Sequence, residues 1–280
     1  MTTETLSQHA IQDTRNRNQA ERIGQYSLWQ ILAIWALSAL PMGLIAWVVI
    51  PAVSPDFNFD PFGAGIIRFG LLTIGLIWLF ILSMIIVWKE EGDLRWATIK
   101  RRLRLNAPQD PKTGETRRRL WLWVIPFLIA SVVYDLALTP SINKLWVSIF
   151  PLLAPPASSN FALIFTQEIL DRLVGAWWFF GLMVVTNVFN LLGEDLLFRG
   201  VLLPKMEGVF GRWSWLANGV LFGLYHVHTP WVILQNVISG PLALAFPSWR
   251  YRSTWMAIII HSAQSVFVMV LFLLIVLGLY

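Results

Sequence analysis

The sequence predicts an all-α, polytopic transmembrane helical bundle of about seven to eight spans. Three observations lead there. Hydrophobic residues make up 56% of the 280 and charged residues only 13%, where a soluble domain carries about 25% charged. The apolar residues are gathered into runs long enough to cross a hydrocarbon core, which takes roughly 20 residues per helix. The chain also holds 16 tryptophans, a residue enriched at the membrane–water boundary.

Residues 1–27 are polar, with Glu4, Asp13, Arg15, Arg17, Glu21 and Arg22, and read as a cytoplasmic tail with too little apolar surface to order itself. The first apolar run is long enough to be a retained span and not a cleaved signal. Spans are expected at about 28–50, 65–88, 120–138, 174–203, 213–228, 231–246 and 255–279. Between Thr139 and Arg172, apolar pieces (Leu145–Leu153, Phe161–Phe165) are broken by Pro140, Pro151, Pro155 and Pro156. That stretch reads as an outer loop with a short or re-entrant helix, or as an eighth span. The chain thus divides into the tail, N-terminal spans over 28–169 and a C-terminal helical core over 170–280, with neither an internal repeat nor a soluble domain.

Orientation follows from charge. The loop at 89–119 carries ten basic residues and should be cytoplasmic, whereas the loop holding Asp56 and Asp60 has no Lys or Arg and suits the outside. Counting onward puts the turns bearing Lys205 and Arg212, and Arg250 and Arg252, inside as well, with the N-terminus cytoplasmic. The net charge of +5 is therefore a membrane-topology signal and not a nucleic-acid footprint; the expected partner is the lipid bilayer, and the basic run at 100–104 reads first as a solvated surface and second as a contact for anionic lipid. With no cysteine, disulfides, thiol catalysis and cysteine-ligated clusters are excluded.

The residues that carry information are those a lipid-facing helix does not tolerate, since a charge at membrane depth costs at least about 2.5 kcal/mol. Arg68 and Asp135 lie near outer span ends, where water is in reach. Deeper lie Glu194, Asp195 and Arg199 in LLGEDLLFRG, His226 and His228 in LFGLYHVHTP, and His261 in IIIHSAQSVF. The fourth histidine, His9, falls in the tail. At about 1.5 Å per residue, Glu194 sits roughly 15 Å from the inner turn near Pro204, His226 roughly 20 Å from Trp213 and His261 roughly 9 Å from Trp255. Three helices thus place an acid and two imidazoles in overlapping layers. Asp195 and Arg199, four apart, should pair, leaving Glu194 on another face as a candidate general base. The plainer alternative is a buried ion pair with a structural Glu194. His228 is expected on a different face from His226, in a structural role. Asn187, Asn190, Asn218, Gln235 and Asn236 are expected to bridge helices, with Asn190 also able to orient Glu194.

Glu194-Asp195-Leu196-Leu197-Phe198-Arg199 resembles the EExxxR motif of the CPBP intramembrane protease family, which includes type II CAAX prenyl endopeptidases and Abi-like relatives. Phe222-Gly223-Leu224-Tyr225-His226 resembles that family's FxxxH motif, and His261-Ser262-Ala263-Gln264-Ser265 its HxxxN motif. The likeness covers about residues 170–280. Asp195 stands where the family has a second glutamate, and Ser265 where it has an asparagine that helps hold the oxyanion. Gln264, on another face, does not replace it.

The resemblance implies an intramembrane endopeptidase acting on a membrane-associated protein or peptide. Glu194, aided by His226, would activate water; His261 with Ser265 would hold the tetrahedral oxyanion; Arg199 would fix the acidic helix. The cofactor stays open between none and a divalent metal such as zinc, because Glu194, His226 and His261 make a plausible open ligand set. Other classes fit parts of the pattern: a haem- or quinone-binding protein with His226 and His261 as axial ligands, a proton-coupled carrier using Glu194 and Asp195, or a catalytically inactive scaffold.

Overall fold

The computed structural model describes residues 24–53, 61–156, 159 and 166–280. The tail proper, the loop with Asp56 and Asp60, the Phe161–Phe165 piece and the Gln264 side chain lie outside what is described. Among the described residues, six helices are long and apolar enough to cross a membrane, the property expected of an integral membrane protein. They are α1 (Leu28–Val53), α2 (Phe62–Glu91), α4 (Arg118–Ala137), α7 (Trp177–Lys205), α9 (Pro230–Arg250) and α10 (Thr254–Val276). Shorter helices are α3 (Trp96–Arg102), α5 (Thr139–Ile149), α6 (Gln167–Leu173) and α8 (Ser214–Tyr225). Among the described residues there is no strand, only a single antiparallel bridge between Gln109 and Thr116.

Two segments differ in length from what their apolar runs suggest. The run at 213–228 becomes a 12-residue helix, α8, flanked by 3-10 turns at Gly211–Trp213 and His226–His228. It rises only about 18 Å, so its end stops part-way across a hydrocarbon core about 30 Å thick. In the ambiguous stretch, α5 has 11 residues, too few to span.

The helices begin and bend where their chemistry directs. Ser27 caps α1 with a reciprocal box: its Oγ accepts from the Gln30 N–H, and Gln30 Oε1 accepts from the Ser27 N–H at 2.8 Å. Pro41 inside α1 has no N–H to give Leu37, and the freed Leu37 carbonyl instead accepts from Trp78 Nε1 of α2 at 2.9 Å. Other indoles fasten helices the same way: Trp35 donates to Leu221 O, Trp47 to Val227 O and Trp146 to Pro230 O, at 2.7–2.8 Å. The bridging role expected of amides holds for Asn218, which donates to Phe198 O at 2.8 Å, and for Gln235, whose Oε1 accepts from Asn143.

The C-terminal half of α7 is the centre of the bundle. Asn190–Leu202 is π-helical, and all ten residues from Gly193 to Leu202 are buried. Buried on every side, the segment packs chiefly against α2 and α10. Gly193 allows this closeness, because a β-carbon there would lie 2.5 Å from the Leu76 carbonyl oxygen. The α8–α9 contact uses the same device: a β-carbon on Gly223 would lie 2.4 Å from the Val237 nitrogen, and one on Gly219 still closer to Pro241. Small residues four apart let membrane helices approach backbone to backbone.

Candidate active site

A cavity of about 460 Å³ opens between α2, α7, α8 and α10, and Glu194, His226, His261 and Ser265 all line it. Its other walls are mainly apolar, with Met42, Phe69, Leu72, Leu76, Met183 and Val268. Asp195 and Arg199 stand behind this wall, fully buried. The structure therefore brings together the six residues singled out from the sequence, four on the cavity and two as support.

The support is specific. Arg199 Nη1 lies 3.3 Å from Asp195 Oδ1, the pairing expected from their four-residue spacing. The approach is an ion-pair distance without hydrogen-bond alignment: none of the three Arg199 guanidinium nitrogens makes a hydrogen bond among the described residues. The guanidinium instead lies flat against aromatic surface, its Cζ 3.9 Å from the Phe222 ring centroid. Phe222 thus serves two motifs at once. Its ring carries Arg199, and its carbonyl accepts from His226 Nδ1 at 2.9 Å. That bond commits the Nδ1 proton and leaves His226 Nε2 as an acceptor.

His261 is held from both sides. Its Nδ1 lies 3.1 Å from Asp195 Oδ2, and its Nε2 lies 3.2 Å from Asn190 Nδ2. Asp195 therefore joins Arg199 on one oxygen and His261 on the other, coupling α7 to α10. Asn190, which could have oriented Glu194, sits on His261 instead and also lines the cavity. Glu194 is 4% exposed. Its electrostatic neighbours are His261, Asp195, Arg199 and Tyr225, and it shares Arg199 and His261 with Asp195. Ser265 Oγ is 3.5 Å from the His261 carbonyl of its own helix, a marginal contact.

Two sequence readings change, and one contact is new. His228 was expected on another face, but α8 ends at Tyr225 and the chain turns through a 3-10 segment before Pro230. The rings of His226 and His228 consequently stack, centroids 5.5 Å apart, and both line the cavity. Arg68 was expected to reach water, yet it is 6% exposed, donates to the His228 carbonyl at 2.8 Å and lies against Trp47 and Trp231. Thr73 and Thr186, not singled out before, join α2 to α7 at the cavity wall through a 2.6 Å hydroxyl contact.

A metal ion does not fit this arrangement directly. Among the described residues no group of three His, Cys, Asp or Glu side chains could hold one. Both ring nitrogens of His261 are already engaged, which also bears on axial ligation of a haem.

Comparison with known proteins agrees with the geometry. Residues 176–267 match the family described as type II CAAX prenyl endopeptidase Rce1-like. The match supports assigning this region to the CPBP family. No curated protein and no solved structure matches the chain. The match contains all three motifs, from Glu194 to Ser265, and starts at the head of α7. The matched segment is thus α7 to α10, and α1 and α2 complete its cavity from outside the matched region.

Proposed function

We propose that this protein is an intramembrane endopeptidase that cleaves a peptide bond in a membrane-associated protein or peptide. The observation that carries the reading is the convergence of Glu194, His226 and His261, from three separate helices, on one largely apolar cavity. Such walls suit an extended apolar peptide segment.

Glu194 takes a proton from a water that His226 Nε2 also accepts from, and the hydroxide oxygen bonds to the scissile carbonyl carbon. His261, as an imidazolium paired with Asp195, keeps its Nδ1–H on that carboxylate and donates its Nε2–H to the developing oxyanion as Asn190 gives way. The carbon–nitrogen bond then breaks, and the proton held by Glu194 passes to the leaving amine. Arg199 balances Asp195 and keeps the acidic helix in register. Ser265 contributes little, because its hydroxyl stays near its own helix backbone. The Rce1-like match supports peptide-bond hydrolysis as the chemistry. The ten basic residues at 89–119 orient the protein with that loop and the N-terminus in the cytoplasm.

The test compares membrane-protein N-termini in host cells carrying the wild type or Glu194→Ala at equal expression. New N-termini found only with the wild type support the proposal and name the substrate. Matching profiles from two folded variants contradict it and favour the scaffold reading.

A further inference from the structure

A second cavity, of about 480 Å³, lies among the basic residues at one end of the bundle. Lys100, Arg101, Arg104 and Arg252 line it, together with Asn106 and Gln109. No acidic side chain is among its lining residues. Glu91 pairs with Arg101 at 2.6 Å, and Glu207 is an electrostatic neighbour of Arg104. Among the described residues the cavity lining itself carries four basic side chains.

Backbone geometry sets this cluster apart from an ordinary solvated basic loop. Among the described residues, two that are not glycine have positive φ, and they are Arg104 (φ 50) and Arg252 (φ 47). The left-handed region is costly for a residue with a β-carbon, and such residues gather at functional sites. Here both are arginines and both line one cavity, although 148 positions separate them. Their turns interlock: the Arg104 carbonyl accepts from the Thr254 N–H at 3.0 Å, and the Arg252 carbonyl accepts from Asn106 Nδ2 at 3.0 Å. Thr254 Oγ1 donates to the Leu103 carbonyl and Ser253 Oγ to that of Asn106. Both arginines are therefore fixed from the backbone up. Burial pulls the Arg104 guanidinium down to about 10, against the opposing pull of Glu207, and it remains a cation at neutral pH.

Position supplies the source of the ligand. The cavity adjoins the end of α2 and the start of α10, two span ends on one side of the bundle. Exposed Leu94 and Trp96 precede the lining residue Ala97 in sequence, and an indole with a neighbouring apolar side chain favours the headgroup layer.

We propose that this cavity binds the phosphate of an anionic ligand, with a phospholipid headgroup at the membrane surface as its source. Guanidinium groups match phosphate oxygens with paired hydrogen bonds, and the two amides supply further polar contacts. The site is separate from the cavity at Glu194 and does not rest on proteolysis.

The test uses the full chain in neutral detergent and native mass spectrometry, with phosphatidylglycerol and phosphatidylcholine as probes and inorganic phosphate in a parallel arm. The variant is Arg104→Gly with Arg252→Gly, which removes both cations while giving each backbone site the residue that tolerates positive φ. The wild type should retain phosphatidylglycerol roughly tenfold over phosphatidylcholine. The variant should lose that preference while its lipid-free melting temperature stays level or rises. Binding of inorganic phosphate without a lipid preference would keep the phosphate site and overturn the lipid source. No preference for either anionic probe, or a preference that survives in the folded variant, would overturn the proposal.

Discussion

Two carboxylates on spanning helices, Glu90 and Glu194, show how differently one chain uses the same group. Glu90 ends α2 and is saturated with donors. It accepts from Tyr26 Oη, from Arg102 Nε at 2.5 Å and from Lys205 Nζ at 2.7 Å. Through these bonds it ties the segment before α1, α3 and the end of α7 to one point. Arg102 extends the tie to the Gly200 carbonyl at 3.2 Å, close to where the π-helical segment ends. Glu194 is more deeply buried, shares Arg199 and His261 with Asp195, and lines a cavity. A carboxylate held by three donors fixes structure, whereas one left open to a cavity has capacity for a proton. Stability and chemistry are therefore placed about three turns apart on α7, with Lys205 at its end and Glu194 near its middle.

That contrast can be broken by substitution. Glu194→Gln keeps the shape and removes the base, so cleavage should fall by about 10²–10⁴ while the melting temperature barely moves; a cleavage assay paired with thermal unfolding checks both. Glu90→Ala should do the reverse. It leaves Arg102, 3% exposed, without its carboxylate and should cost about 3 kcal/mol of stability, read as a lowered melting temperature with cleavage per folded molecule retained. Gly193→Ala forces a β-carbon against the Leu76 carbonyl and should cost about 1–3 kcal/mol, measured the same way. Ser265→Ala should have the smallest effect, under about 1 kcal/mol in transition-state terms, visible as a several-fold change in rate at most. A loss as large as that of Glu194→Gln would show that its hydroxyl swings into the cavity.

Much of this was legible in the sequence for definite reasons. Long apolar runs declare spans because lipid leaves the backbone no other partner. Asp195 and Arg199 declared their pairing because a four-residue spacing keeps them on one face even where the helix is π-wound. Convergence of Glu194, His226 and His261 could be argued from depth alone. What could not be read depended on departures from a straight α-helix. His228 reaches the cavity wall because α8 stops early. Asn190 meets His261 and not Glu194 because contact across helices is set by how α7 and α10 approach. Arg68 is covered by Trp47, Trp231 and a backbone carbonyl, none of them near it in sequence. The basic cavity was visible only as loop charge, since the left-handed turns at Arg104 and Arg252 have no glycine to announce them.

The most direct test of the central claim measures cleavage per folded molecule and melting temperature side by side for Glu194→Gln and Glu90→Ala in the same reconstituted bilayer. The account predicts a stable, inactive Glu194→Gln and a less stable Glu90→Ala whose folded fraction still cleaves. A Glu194→Gln protein that cleaves like the wild type, or one that loses activity only by unfolding, would contradict it.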